Sequence, residues 1–183
     1  MDLREIKEFL RDCWAYIVTI GIVVIVLMFV VSFQPIAGNS MFPTLEEGNV
    51  VLVSKFSYYI AKPKRNEIVT VKVNGKSYVK RIIGLPGEDI KFIKNILYIN
   101  DQPYKEDFLK EGIETSGFTL EDICHENECP NNVIPEDKYL VLGDNRPESE
   151  DSRTSTFGLV SKEQIKGQVF FRMWPITSIG GVK

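Results

Sequence analysis

The segment IVTVKVNGKSYVKRII, residues 68–83, decides the fold class of this chain. Two runs rich in β-branched residues flank the pair Asn74-Gly75, which tolerates positive φ and predicts a two-residue type I′ turn. Such a turn fixes the register of an antiparallel hairpin. Alternation of side chains along its strands then gives one largely apolar face, made of Val69, Val71, Tyr78, Lys80 and Ile82.

Lys80 is the unexpected member of that apolar face. Burial disfavours the charged form of a lysine and lowers its pKa, so a lysine at this position suggests a functional base. The alternative is a lysine whose stem packs on the sheet while its ammonium reaches water. Arg81 falls on the more polar face, and it cannot act as a base because its guanidinium does not lose a proton in proteins.

The sequence after residue 33 has β character throughout. Short β-branched runs alternate with turn residues, and no long segment places apolar residues at helical period. Further runs of this kind are Val50–Val53, Ile96–Ile99, Tyr139–Leu142 and Gln168–Met173. Residues 103–135, acidic and rich in turn formers, are interpreted as an excursion from the main sheet. These patterns predict a mostly β fold.

The residues before this β region predict a membrane helix. The stretch from Cys13 to Phe33 contains no charged side chain, and at about 1.5 Å per residue it spans the roughly 30 Å hydrocarbon core. A cleavable signal peptide is the alternative, but its apolar core is shorter, about 7–15 residues. Three basic residues precede the stretch, and the next one is Lys55. The positive-inside rule therefore places residues 1–12 in the cytoplasm and exports residues 34–183.

Composition narrows the function classes. A chain of 183 residues with a net charge of −3 allows one ordinary domain and argues against nucleic acid as a partner.

The only histidine, His125, lies in the segment CHENEC with Cys124 and Cys129. A small disulfide, two free thiols and a weak metal site all remain open for this segment.

Serine and lysine are the candidates for nucleophilic catalysis. A Ser-His-Asp hydrolase would place its base in the peripheral acidic stretch, so lysine is the better base for a serine hydrolase here. Ser40, in GNSMFPTL seven residues past the predicted helix, is the candidate nucleophile, although a serine in such a position is most often a loop residue. The motif GDNRPESEDSR, residues 143–153, is either a solvated charged loop or a polar support that orients a buried lysine.

Together these motifs resemble a known family. The apolar anchor is followed by GNSMFPTL, GNVVLV, YVKRIIGLPGE, GDNRPESEDSR and FGLV. This order resembles bacterial type I signal peptidase, a membrane-bound serine-lysine endopeptidase that removes signal peptides. The resemblance covers residues 38–160. It implies a signal-peptidase-type antiparallel β domain on one N-terminal transmembrane helix, with residues 103–135 as a variable insertion.

The resemblance also implies roles for individual residues. Ser40 matches the nucleophile and Lys80 matches the general base. Ser149 matches the hydroxyl that hydrogen-bonds the lysine, and Asp151 with Arg153 matches a supporting ion pair.

Other residues of the same motifs can also be compared with the family. Asp144 matches the residue that opens the same structural box of the family, and Met41 matches the residue that follows the nucleophile and packs near the cleft. Gly38 matches a backbone position at the oxyanion hole, so oxyanion stabilisation would rest largely on the amide of Ser40. Asn49 replaces the usual Asp of the motif GDxVLV, which we interpret as a turn variation.

The resemblance implies no cofactor and no metal. It implies two partners, the lipid bilayer and exported preproteins with small residues before the cleavage point, and a single-pass location in the bacterial cell membrane. Two other interpretations remain at this point. One is a self-cleaving repressor-type Ser/Lys peptidase, and the other is a non-catalytic membrane-anchored binding or assembly subunit.

Overall fold

The computed structural model describes residues 3–124 and 128–182 of the chain. Helices lie at Leu3–Val30 (α1), Ser57–Ile60 (α2) and Leu120–Ile123 (α3), with short 3-10 turns at Pro130–Asn132, Lys162–Gln164 and Ile176–Ser178. The strands are β1 (Val31–Pro35), β2 (Val50–Ser54), β3 (Ile68–Val73), β4 (Lys76–Gly84), β5 (Ile90–Ile93), β6 (Ile96–Ile99), β7 (Gln102–Tyr104), β8 (Phe118–Thr119), β9 (Lys138–Leu142), β10 (Val160–Ser161), β11 (Ile165–Trp174) and β12 (Gly180–Gly181).

The strands form two sheets. The larger sheet has the order β1-β2-β11-β3-β4-β9-β10, with β12 added to β11, and the smaller one has the order β7-β6-β5-β8. Every strand pair within the described residues is antiparallel. The predicted mostly β, antiparallel class with one N-terminal apolar helix is therefore confirmed.

The apolar N-terminal helix ends earlier than predicted. We expected a helix from residue 13 to residue 33, but α1 ends at Val30, and the next five residues form β1. The reason is pairing, because Val31–Pro35 forms a ladder with β2 and the Lys55 N–H donates to the Val30 carbonyl at 2.9 Å. The span Ile6–Val26 of α1 is long and apolar enough to cross a membrane.

The hairpin has the predicted register. Val69 lies opposite Lys80, and both turn residues, Asn74 and Gly75, have positive φ. Lys80 is buried on the apolar face, with 1% of its surface exposed. Arg81 lies on the other, more polar face of the hairpin and is equally buried, beneath the ring of Phe108.

The described part of residues 103–135 contributes strand residues of β7 and β8 to the smaller sheet and none to the larger one. Strand β8 pairs with β5, and Tyr104 in β7 pairs with Leu97 in β6. This sheet packs on β4 and β9 through a buried apolar cluster that includes Ile83, Phe92 and Leu140. The segment therefore covers the second face of β4, which explains why Arg81 is buried.

Candidate active site

The loop that carries Ser40 is fixed by its apolar neighbours. Met41 and Leu45 are fully buried against β2, β3 and β4, in a cluster that includes Val51 and Val79. The Leu45 N–H donates to the Met41 carbonyl at 2.9 Å, which closes a turn directly after Ser40. Ser40 itself is half-buried. The loop therefore holds this serine at the edge of the core rather than in solvent.

Gly38 and Asn49 shape the two ends of this loop. Gly38 has a φ of +77°, a conformation that disfavours any residue with a Cβ. Asn49 is buried, and its side-chain oxygen accepts from the Glu46 N–H at 3.3 Å. The side-chain amide of Asn49 thus closes a local turn, which agrees with the interpretation of this residue as a turn variation.

A small cavity of about 90 Å³ lies beside Ser40. Its walls come from β1 and the following loop on one side and from β4 on the other, through Gln34, Pro35, Ile36, Ala37, Ser40, Met41, Ser77, Tyr78 and Val79. Among the described strands, β1 pairs only with β2, and residues 77–79 of β4 pair only with β3. Each wall therefore offers a free backbone edge that can pair with an extended peptide.

Lys80 follows directly after the three β4 residues that line this cavity. Its Nζ donates to Ser149 Oγ at 3.1 Å. Burial lowers the pKa of Lys80 from 10.5 to about 8, although the nearby carboxylates of Asp151 and Glu150 oppose this by raising it. A lysine with this pKa is partly neutral near physiological pH and can accept a proton.

Gly143 brings the Ser40 loop and the Ser149 loop together. A Cβ built on Gly143 would overlap with both Ser149 Oγ and the Ser40 carbonyl oxygen. The same carbonyl accepts a hydrogen bond from the Asn145 N–H at 3.0 Å. Ser40, Ser149 and Lys80 therefore belong to one continuous set of contacts around a residue that must lack a side chain.

Asp151 and Arg153 hold the loop that presents Ser149. The Asp151 carboxylate is fully buried and accepts from Arg153 Nε and Nη2, each at 2.8 Å. It also accepts from the Gly143 N–H at 3.0 Å. Arg153 Nη2 in turn donates to the Arg146 carbonyl at 2.8 Å. The ion pair thus fixes both ends of the segment from residue 143 to residue 153.

Asp144 forms a buried ion pair with Arg81, the neighbour of Lys80. Arg81 Nε lies 2.8 Å from Asp144 Oδ1, and Nη2 lies 2.6 Å from Oδ2. Thr44, four residues after Ser40, donates its hydroxyl to the same carboxylate. No sequence pattern assigns Arg81 or Thr44 to the site. The three residues are far apart in sequence, and only the packed structure shows that they meet.

Arg146 is a third site residue that the sequence did not reveal. It is buried, donates from Nε to the Gly143 carbonyl at 3.0 Å, and forms an ion pair with Glu106 at 2.6 Å. Its Nη1 also donates to Thr115 Oγ1 at 3.0 Å. Glu106 and Thr115 both lie in residues 103–135. Arg146 therefore joins this segment to the loop of Ser149 through an ion pair and a hydrogen bond.

The two cysteines of the segment CHENEC are joined. Cys124 and Cys129 form a disulfide, which resolves the three alternatives that the sequence left open for them. Their sulfurs are thus not available as thiolate ligands for a metal. His125 lies outside the described residues.

Comparison with known proteins places this arrangement in a family. The family model described as "Signal peptidase, peptidase S26" matches residues 7–174. The chain is 42% identical to signal peptidase I of Bacillus caldolyticus, over 88% of this chain and 90% of that protein. It is 37% identical to signal peptidase IB of Staphylococcus aureus, over 93% of this chain and 92% of that protein.

A solved structure agrees with the sequence matches. The crystal structure of a signal peptidase I from Enterococcus faecalis is 36% identical, with a TM-score of 0.50, and the match covers 59% of this chain and 97% of that one. The family model spans both the Ser40 loop and the Ser149 loop. The chain belongs to the signal peptidase family, peptidase S26.

Proposed function

We propose that this chain is a serine endopeptidase that removes signal peptides from exported preproteins, with Ser40 as nucleophile and Lys80 as general base. The observation that carries this assignment is the buried Lys80 ammonium, bonded to Ser149 and adjacent to the cavity that Ser40 lines. Membership of the signal peptidase family supports the reaction class. The rest of the site supports the roles of these two residues.

The reaction is acyl transfer. Neutral Lys80 accepts the proton of the Ser40 hydroxyl, and Ser40 Oγ forms a bond to the scissile carbonyl carbon. The C–N bond then breaks as the Lys80 ammonium returns a proton to the leaving amine. Water, activated by the same lysine, hydrolyses the acyl-enzyme. Backbone N–H groups of the Ser40 loop, including that of Ser40 itself, are proposed to stabilise the oxyanion.

Supporting residues act by orienting Lys80. Ser149 accepts the hydrogen bond of Lys80 and so directs its ammonium, while the Asp151–Arg153 ion pair holds the loop of Ser149. The Arg81–Asp144 pair links the base strand to the nucleophile loop through Thr44. Each of these contacts is buried or half-buried, which limits the freedom of the side chains.

The shape of the small cavity supports a preference for small side chains. A volume of about 90 Å³ beside Ser40 accommodates a residue of alanine size and excludes large ones. The free edges of β1 and β4 bind the peptide backbone and leave its side chains to be read by the cavity. We therefore propose substrates with an A-x-A-like pattern before the cleavage point.

The topology that we propose places the catalytic domain outside the cytoplasmic membrane. Basic residues concentrate before the apolar part of α1, and the Cys124–Cys129 disulfide suits an oxidising compartment. Exposed apolar residues lie on the larger sheet, among them Phe33 in β1 and Trp174 at the end of β11. Their exposure supports contact of the domain with the lipid surface.

The experiment compares cleavage of a peptide that spans an A-x-A site by the full chain and by its Ser40→Ala variant, both in neutral detergent. We expect the wild type to cleave the peptide at one bond and the variant to leave it intact. Equal cleavage by both would contradict the nucleophile assignment. Processing in cells that depends on the chain but not on Ser40 would instead favour a non-catalytic subunit.

A further inference from the structure

A second, larger cavity of about 610 Å³ lies next to the catalytic cavity. One part of its wall comes from strands β1, β2 and β3. The rest comes from residues in and near α2 and from residues at the start of β11. The strand residues that line the cavity are Ser32, Gln34, Val53, Thr70 and Ile165. The proposed reaction at Ser40 does not use this space.

Gln34 connects the two cavities, because it lines both. Its side-chain oxygen accepts a hydrogen bond from Thr70 Oγ1 at 2.7 Å. Thr70 lies opposite Val79, which belongs to the wall of the catalytic cavity. Gln34, held by Thr70, is thus the shared wall of the two cavities, and a peptide bound along β1 would pass from one cavity to the other.

The larger cavity lies toward the membrane end of β1. This strand leads from the last residue of α1, Val30, toward Ser40, and Ser32 of the cavity is two residues past the helix end. Lys55, another lining residue, donates its N–H to the Val30 carbonyl at 2.9 Å. The cavity therefore lies between the catalytic cavity and the end of the apolar helix.

This position determines which part of a substrate meets the cavity. In an exported preprotein, the apolar segment that enters the bilayer precedes the cleavage site. The chain that joins the two must run from the membrane to Ser40. Ser32 and Gln34, which line the larger cavity, are eight and six positions before Ser40 in the chain. A peptide extended beside β1 would therefore place residues several positions before the scissile bond at this cavity.

The rim of the cavity is positively charged. Lys55, Lys162 and Lys166 line it and are exposed, and Glu163 is the one acidic residue of the lining. Lys166 donates to the Glu163 backbone carbonyl at 2.7 Å, which holds its ammonium at the rim. The lining as a whole therefore has an excess of two positive charges.

We propose that this larger cavity is a specificity site for the preprotein segment that precedes the cleavage point, and that its lysines favour acidic side chains there and disfavour basic ones. The inference rests on the proposed function, since it concerns the same substrate. It adds a charge preference that the small apolar cavity beside Ser40 cannot provide.

The first test uses the wild-type full chain in neutral detergent, without charged lipid. Three peptides share one A-x-A site and differ only in the residue about five positions before the scissile bond, which is Asp, Gln or Lys. We expect kcat/KM to fall in the order Asp, Gln, Lys, with about a three- to tenfold span at low ionic strength, as for exposed charge pairs. Added salt should shrink this span, because it screens exposed charges.

The second test changes the rim. The triple variant Lys55→Gln, Lys162→Gln, Lys166→Gln should lose the preference and cleave the three peptides at similar rates. The triple Glu variant at the same positions should reverse the order. Lys110→Gln is the matched control, since Lys110 is also exposed but lies outside this cavity, and it should retain the wild-type order.

The outcomes separate this inference from the function that it rests on. Equal kcat/KM for the three peptides with wild type would overturn the charge preference but leave the endopeptidase assignment intact. Failure to cleave any of the peptides would contradict the endopeptidase assignment and the inference together. A third outcome combines equal cleavage of the three peptides with activation by phosphatidylglycerol vesicles that the triple Gln variant lacks. This outcome would assign the lysines to lipid headgroups and overturn the proposal.

Discussion

Lys80 and Ser149 are joined by a hydrogen bond of 3.1 Å, from Nζ in the hairpin strand β4 to Oγ in the loop that follows β9. The two residues are 69 positions apart in sequence. Lys80 is buried, so this contact satisfies a polar group that would otherwise be costly to bury. In the proposed mechanism, the same contact directs the base toward Ser40.

Replacing Ser149 with alanine should lower kcat by about 10- to 100-fold, because orienting contacts of this kind typically have effects of that size. The fold should persist, since the hydroxyl fills little of the core. Activity and thermal stability should be measured on the same samples. The control is Ser155→Ala, which changes an exposed serine two residues after the segment 143–153. A loss of activity that only follows a loss of folded protein would assign Ser149 to structure.

Gly143→Ala should be far more harmful than its small size suggests. The added methyl group would overlap with Ser149 and with the Ser40 backbone, so the two loops must separate. We expect a destabilisation of about 1–3 kcal/mol, as for overpacked sites, and a larger fractional loss of activity than of folded protein. Gly180→Ala is the control, because a methyl group there meets open space. Wild-type activity in Gly143→Ala would contradict the close approach of these loops.

Asp144→Ala should destabilise the protein by about 3–5 kcal/mol, because it leaves the buried Arg81 guanidinium without its carboxylate. The double variant Arg81→Met, Asp144→Leu should recover part of that stability, since no buried charge then remains unpaired at this pair. Denaturant unfolding of both variants and of wild type measures the difference. An Asp144→Ala variant as stable as wild type would mean that this pair does not hold β4 to the loop of Asp144.

Lys80→Met should raise stability at neutral pH while abolishing activity. The folded protein holds the pKa of Lys80 near 8, whereas the unfolded chain has the ordinary value of 10.5. Wild type therefore gains stability as pH rises from 8 to 10.5, where the unfolded chain still binds the proton that the folded state has released. Below pH 8 the variant should be more stable by about 3 kcal/mol, since each pKa unit corresponds to about 1.36 kcal/mol. Unfolding curves at several pH values would contradict this if the difference did not shrink as pH rises.

The hairpin could be predicted from sequence because its signals are local. The turn pair Asn74-Gly75 and the alternation of side chains fix which residues face each other, and they place Lys80 on the buried face. Local signals could not locate the end of α1, because the strand that follows it continues the same apolar pattern. Val31 and Phe33 extend the apolar run of α1, yet they form the edge strand β1 because β2 offers a pairing partner.

The supporting contacts of the site could not be predicted because they are non-local. Arg81 and Asp144 are 63 positions apart, and Arg146 and Glu106 are 40 positions apart. No periodicity or turn signal links such pairs. The hairpin places Arg81 on the more polar face, but its burial could not be predicted from the hairpin alone because the smaller sheet covers that face.

The pH dependence of kcat/KM for an uncharged A-x-A peptide, cleaved by the full chain, tests the central claim most directly. If neutral Lys80 is the base for Ser40, kcat/KM should rise about tenfold per pH unit on the acidic side and level off near pH 8, where the free enzyme loses the proton of Lys80. Lys80→Arg, which keeps the charge but supplies no base, should be nearly inactive at every pH. A rate that levels off near pH 4–5, or substantial turnover by Lys80→Arg, would contradict the account and place the proton acceptor elsewhere.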